Sequence, residues 1–195
     1  MGFTLVTPPA CEPITLADAV NYLKGESQEW PASENALVSS LITAARRNVE
    51  QRLSMAVIEQ EWKYTLDTFP LAGFPIILPR PPIRRVRSIK YLDDSSTEVT
   101  LASSGYVVNL TSGQIGLADG GAWPTIANAV GAVRIRYLAG FTDDASCVPA
   151  DLRAAMLLLV GDMYRNREAQ VAGSLTDNKT VCALLDPYYR FWDTP

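Results

Sequence analysis

The sequence predicts an α+β fold: a small helical core of about four helices, with a β-strand insertion between the second and third helices. Two patterns in the 195-residue chain predict it. In both terminal parts apolar residues recur every three to four positions, which indicates amphipathic helices. Between them apolar and polar residues alternate, which is typical of half-buried strands. We therefore expect the helical core over residues 1–55 and 141–195 and the β-rich insertion over 56–140.

Two helices are predicted after an extended, proline-bearing start. Thr15 and Asp18 have the spacing of a capping box, which opens a short helix that ends near Lys24. Ser33 is expected to cap a longer helix over about residues 34–53. The apolar stripe of that helix consists of Leu37, Val38, Leu41, Ile42, Ala45, Val49 and Leu53, and Arg46 is predicted to lie mostly off it.

The insertion contains a series of short predicted strands. Trp62, Tyr64 and Leu66 alternate with polar residues, which indicates a half-buried strand. A second apolar run is bounded by Pro75 and Pro79, which suits an edge or connecting strand. The remaining strands are expected over residues 86–92, 99–101, 106–109, 114–117 and 133–137.

The C-terminal part begins with a helix predicted over about residues 150–166, with Pro149 at its first turn. Its apolar residues extend almost all round, so its own domain or a neighbouring subunit must bury it. No apolar stretch approaches the ~20 residues of a membrane span, so no membrane partner is expected. A short helix then leads into an aromatic tail, where docking onto the chain's own core or onto another chain would be needed for order. The tail aromatics are Tyr188, Tyr189, Phe191 and Trp192.

The composition excludes several classes of active site. The chain has no histidine, which removes the Ser-His-Asp triad, the Cys-His pair and the common zinc sites. Carboxylate chemistry, lysine chemistry or no chemistry remain. The paired carboxylates Asp93–Asp94 and Asp143–Asp144 stand beside turn residues, where aspartate commonly bonds its own backbone. We therefore expect no metal, no cofactor and no catalytic set.

A cluster of arginines flanks Pro81-Pro82 in a chain whose net charge is −4. The cluster consists of Arg80, Arg84, Arg85 and Arg87. One interpretation is a solvated strand edge that blocks sheet-to-sheet pairing. The other is an electrostatic patch for an acidic partner or for DNA phosphate.

Motifs along nearly the whole chain resemble the head–tail connector (neck adaptor) family of tailed bacteriophages. The residues and segments that carry the resemblance are Ile14–Ala19, Leu37–Glu50, Trp62, Leu66, Pro70, Leu78–Ile83, Val86–Leu92, Tyr137–Phe141, Val148–Gly161, Tyr164, Asn166–Glu168 and Ala183–Tyr188. Each motif alone is weak, but their order and spacing together are fairly specific.

The resemblance implies a structural virion protein and not an enzyme. Family members form a ring, expected to be a dodecamer, beneath the portal protein. The ring extends the DNA channel, through which DNA passes without sequence specificity, and offers a docking surface to the next neck or tail-completion protein. The protein is then expected at the virion neck after synthesis in the cytoplasm of the bacterial host. A ring needs heterologous contacts, in which one patch meets a different patch of the neighbour.

Two sets of candidate residues follow from this interpretation. The portal-docking candidates are Leu184, Leu185, Pro187, Tyr188, Tyr189, Arg190, Phe191 and Trp192. The subunit-interface candidates are Arg80, Arg84, Arg85, Arg87, Arg165 and Arg167.

Two alternatives stay open. A β-rich tail accessory or receptor-binding module would present an exposed aromatic groove on the insertion. A carboxylate-dependent nuclease or hydrolase would bring the two aspartate pairs together on a metal ion.

Overall fold

Helices and antiparallel sheets both form, and the predicted α+β class is confirmed. The structure is a computed structural model that describes residues 1–24, 30–71, 73–166 and 178–189. Within these ranges the helices are α1 (Leu16–Lys24), α2 (Asn35–Arg52), α3 (Ala150–Arg165) and α4 (Lys179–Tyr189). The strands are β1 (Gly2–Thr7), β2 (Gln60–Leu66), β3 (Ile76–Ile77), β4 (Ile83–Leu92), β5 (Glu98–Thr100), β6 (Tyr106–Asn109), β7 (Gln114–Leu117) and β8 (Val133–Ala139).

The chain divides into two compact units. The β unit comprises Met1–Ala10 and Ser54–Asp143, and the helical unit comprises Cys11–Leu53 and Asp144–Pro195. The first ten residues therefore differ from the expectation that residues 1–55 belong with the helices. The reason is strand pairing, because β1 runs antiparallel to β2 along its whole length.

The β unit contains two antiparallel sheets. The larger has the strand order β1-β2-β8-β4-β5, and the smaller has the order β3-β7-β6. Alternation along β8 buries Val133, Ile135 and Tyr137 completely in the core of this unit. Ile76 and Ile115, from the small sheet, belong to the same core. The proline-bounded segment forms the two-residue edge strand β3, as its prolines indicated.

The helical unit has its core between α2, α3 and α4. The capping box at the start of α1 is confirmed: the backbone N–H of Asp18 donates to the Thr15 hydroxyl at 3.1 Å, and the N–H of Thr15 donates to the Asp18 carboxylate at 3.4 Å. The prediction that Ser33 caps α2 is wrong, because Ala32–Glu34 form a turn of 3₁₀ helix and Glu34 stands at the N-cap. The fully buried helix residues include Val38, Ala45, Val49, Leu152, Ala155, Met156, Val160 and Leu185.

Arg46 is also placed differently from the sequence prediction. Only 5% of it is exposed, and it lies on the buried side of α2. Its guanidinium pairs with the Glu12 carboxylate at 2.7 Å and with the Glu50 carboxylate at 2.7 Å. A buried arginine is tolerated when carboxylates neutralise it in this way, and the ion triad ties residue 12 to α2.

Candidate functional site

One face of the large sheet is strongly cationic. The alternation that buries Ile135 and Tyr137 turns Arg134 and Arg136 of β8 to the opposite face. Cross-strand pairing extends this face, because Lys63 of β2 stands opposite Arg136, and Lys90 of β4 stands opposite Arg134. We define the cationic face as Lys63, Arg85, Arg87, Lys90, Arg134 and Arg136.

Two bulges in β4 decide which of the predicted arginines reach this face. The pairing of β4 with β8 shifts register between Ile83 and Arg85 and again between Val86 and Ser88. Each shift inserts one residue, and both inserted residues, Arg84 and Arg87, are exposed. Arg85 stands opposite Leu138, which shares its face of β8 with Arg134 and Arg136.

Two carboxylates are interleaved with the cations. The Glu61 carboxylate lies 3.0 Å from Arg136 and 3.9 Å from Arg87, and it forms part of the lining of a shallow groove with Arg85, Arg87 and Arg136. The Glu98 carboxylate lies 2.7 Å from the Lys90 ammonium and 2.9 Å from Arg134. The Lys90 ammonium, and to a lesser extent the Arg134 guanidinium, holds the pKa of the Glu98 carboxyl below its ordinary value. Six cations against these two carboxylates leave the face with a net charge of +4.

The other two arginines of the predicted cluster lie elsewhere in the β unit. The Arg84 guanidinium pairs with Glu59 at 2.8 Å and with Asp143 at 3.0 Å, and this pairing lowers the pKa of the Asp143 carboxyl. Arg80 lies over the rings of Phe3 and Trp62, with its guanidinium carbon 5.5 and 5.6 Å from their centroids. The sequence cluster is therefore split, since Arg85 and Arg87 join the cationic face while Arg80 and Arg84 have contacts within their own unit.

Four members of the cationic face were missed from the sequence. Lys63, Lys90, Arg134 and Arg136 lie on three different strands, and pairing brings them together. The alternation of Arg134 and Arg136 with apolar residues was visible in the sequence. Only the strand order β2-β8-β4 reveals that their neighbours are also cationic.

The C-terminal candidates divide between buried and exposed positions. Leu185 is fully buried within the helical unit, so its side chain cannot dock on the portal as the sequence analysis expects. Leu184 and Tyr188 are half-buried. Burial, and to a lesser extent the negative charge of Asp151, raises the pKa of the Tyr188 phenol above its ordinary value. Pro187 and Tyr189 are exposed. Arg190, Phe191 and Trp192 lie outside the described residues.

Two interface candidates remain, and the structure describes one of them. Arg165 is exposed in the last turn of that helix, and Arg167 lies outside the described residues.

One member of each aspartate pair bonds locally, as its turn position indicated. The Asp93 carboxylate accepts the backbone N–H groups of Ser95 and Thr97, each at 2.9 Å. The Asp144 carboxylate accepts the N–H of Ser146 at 2.8 Å, and Asp143 pairs with Arg84. Among the residues that the structure describes, no three histidine, cysteine, aspartate or glutamate side chains come together as ligands for a metal ion. In the same part of the chain, no helix has the length and apolar character needed to cross a membrane.

Comparison with known proteins gives matches among solved structures. No family model matches the chain, and no curated protein matches it. A chain in a structure described as the virion of a native gene transfer agent particle is similar, with a TM-score of 0.81 and 25% identity over 96% of this chain and 95% of that one. A chain in the neck of an empty gene transfer agent particle, computed with C6 symmetry, gives a TM-score of 0.78 and 25% identity over the same shares. A third similar chain is in the neck of a native particle computed with C12 symmetry, with a TM-score of 0.72 and 23% identity over 96% and 94% of the two chains.

Proposed function

We propose that this protein is a structural component of the neck of a tailed, phage-like particle, where it acts as a head–tail connector. The observation that carries the proposal is the similarity to gene transfer agent virion and neck chains, which extends over almost the full length of both chains. Similarity over 96% of this chain includes both units, so it does not rest on one common substructure.

The connector would work as a closed ring under the portal protein. One similar neck structure was computed with C6 symmetry, which is compatible with the dodecamer that the family resemblance implies. Such a ring would extend the DNA channel and present a surface to the next neck or tail-completion protein. Four interface candidates of the described chain are exposed and can contact neighbouring copies: Arg84, Arg85, Arg87 and Arg165.

Electron microscopy of the purified protein and of particles tests this function. We expect rings with a central channel, and we expect particles made without the protein to have filled heads that lack attached tails. An antibody or gold label on the protein should mark the head–tail junction. Complete, tailed particles in the absence of the protein would overturn the proposal.

The C-terminal segment is the proposed contact with the portal. Tyr189 is exposed at the end of α4, and the sequence continues with Arg190, Phe191 and Trp192. Tyrosine, tryptophan and arginine are the residue types that contribute most to binding at protein interfaces. Tyr188 and Leu184 would support this contact from the half-buried side of the helix, with Pro187 beside them.

Truncation after Tyr189 separates docking from folding. Removal of residues 190–195 leaves α4 and its buried Leu185 intact, so the circular dichroism spectrum and Tm should stay within about 2 °C of the full chain, whereas portal binding should weaken at least ~10-fold because two aromatic anchors are lost. Binding can be measured by co-sedimentation with portal rings. A truncated chain with full portal affinity would exclude this segment as the contact.

A further inference from the structure

The chain carries two surfaces of opposite charge in different units. The β unit has equal numbers of cationic and carboxylate residues, eight of each, yet its cationic face concentrates a net charge of +4. The helical unit has thirteen aspartates and glutamates against nine lysines and arginines. The net charge of −4 of the whole chain therefore comes from the helical unit.

Three carboxylates of the helical unit stand in the end turns of its helices. Asp18 is in the first turn of α1, Asp151 is in the first turn of α3, and Asp186 is in the last turns of α4. The Arg153 guanidinium lies 3.8 Å from Asp18 and joins the starts of α1 and α3, whereas the charge of Asp151 acts on Tyr188 at the end of α4. Asp151 and Asp186 are exposed, and the Asp18 side chain is 43% exposed. We call these three carboxylates the acidic end.

We propose that the cationic face of one copy binds the acidic end of the helical unit of the next copy, which gives the ring its head-to-tail contact. This proposal rests on the proposed function, since a connector ring is what requires such a contact. A closed ring joins two different patches of identical subunits, and opposite charges in separate units meet this requirement.

The arrangement of the cations favours a protein partner over a nucleic acid. Lys63 and Arg85 form no ion pair with a carboxylate of the described chain, so both can bind carboxylates of a partner. Glu61 and Glu98 stand between the cations and would face the phosphates of a continuous polyanion such as DNA. Separate carboxylates on a folded surface can approach Lys63 and Arg85 while avoiding both glutamates. Arginine also suits this use because its planar fork binds a carboxylate with two hydrogen bonds.

Charge reversal tests the contact, with analytical ultracentrifugation of the full chain at low and high salt as the readout. The double variant Lys63→Glu with Arg85→Glu changes the cationic face without breaking an internal ion pair. The double variant Asp151→Lys with Asp186→Lys changes the acidic end. Each variant alone should self-associate at least ~10-fold more weakly than the wild type. The control Arg47→Glu with Lys179→Glu makes the same charge change as the variant of the cationic face, at exposed residues outside both surfaces, and should assemble normally.

Mixing the two variants gives the decisive result. In an equimolar mixture the negatively charged sheet face of the first variant meets the positively charged helix end of the second. The unchanged surfaces of the two variants also have opposite charges, so assembly should return with the two chains alternating around the ring. A chain that carries all four changes should also assemble by itself. The proposal is overturned if either variant associates like the wild type, if the mixture stays dissociated, or if the wild type shows no association at low salt.

Two further outcomes separate this contact from its rivals. If the change of Lys63 and Arg85 leaves assembly intact but abolishes binding to a random-sequence duplex DNA, the cationic face binds nucleic acid and the proposal is wrong. If particles show the wild-type protein at the neck while charge reversal has no effect on assembly, the proposed function stands and this contact falls.

Discussion

Single residues fix the junction at the end of β8. Gly140 has a φ of +135°, a conformation that residues with a side chain rarely adopt. A Cβ atom at this position would lie 2.6 Å from the backbone of Ile58 and Glu59. That backbone cannot move aside easily, since the N–H of Glu59 donates to the Thr142 carbonyl at 2.7 Å, and the N–H of Phe141 donates to the Val57 carbonyl at 3.1 Å. Glycine is therefore required at position 140.

The substitution Gly140→Ala should destabilise the protein by about 3 kcal/mol or more, because backbone strain and a steric overlap are added together. Gly116→Ala is the matched control, since a Cβ there would meet no atom within 4 Å and the backbone is ordinary. The control should change the unfolding free energy by less than about 1 kcal/mol. Urea denaturation of the two variants measures the difference, and equal stabilities would contradict the role of Gly140.

Arg46 shows where prediction of single residues from sequence fails. Helical periodicity placed it mostly off the apolar stripe because arginine is rarely buried. Its partner Glu50 follows at the i+4 position and was visible, but Glu12 is 34 residues away and is brought close only by the fold. The identity of a buried ion pair depends on such distant contacts, which no local pattern reveals.

Single elements were predicted best where one face alone is buried. The capping box of α1, the presence of strand β2, the alternation in β8 and the bounds of α3 all follow from local physics, and the structure confirms them. Two elements were less predictable. β4 contains two bulges, which break the period of two, and β1 is an edge strand whose six residues are all exposed, so its sequence carries little burial signal.

α4 combines a buried side with a proposed docking end, and one substitution can separate them. Leu185 is completely buried, whereas Tyr189 in the same helix is 38% exposed. The substitution Leu185→Ala should lower the unfolding free energy by about 2–5 kcal/mol, because it removes buried methyl groups and leaves a cavity. Tyr189→Ala should cost less than about 1 kcal/mol. Thermal or urea unfolding distinguishes them, and a stable Leu185→Ala protein would contradict the packing of α4.

At the scale of the whole molecule, the sequence order and the spatial organisation differ. The chain begins in the β unit, enters the helical unit at Cys11, returns to the β unit at Ser54 and leaves it again after Asp143. Periodicity predicts the two later crossings at residues 55–56 and 140–141. The first crossing could not be predicted, since pairing of β1 with β2 is a contact between residues about 60 positions apart. The same limit applies to the cationic face, whose members become neighbours only through the order of the strands.

The place of β1 in the β unit leads to a prediction about local stability. Phe3 packs against Trp62, with ring centroids 5.6 Å apart, and the N-terminal ammonium lies 3.3 Å from the Asp67 carboxylate. Asp67 also accepts the backbone N–H of Gly131 at 2.8 Å, which ties the start of β1 to the loop before β8. Removal of residues 1–7 should therefore uncover the edge of β2 and free the amides that β1 had bonded.

Hydrogen exchange resolved to single amides measures this effect. The β2 amides that face β1 should exchange at least ~100-fold faster after the removal, because exposed edge amides lose the protection of the sheet. The β2 amides that face β8 should keep most of their protection, since the pairing of β2 with β8 is continuous from Gln60 to Leu66. Amides of α2 serve as the internal control, because the removed residues belong entirely to the β unit. Faster exchange in α2 with β2 unchanged would show instead that the N-terminal strand stabilises the helical unit, and that the first crossing of the chain has been assigned to the wrong side.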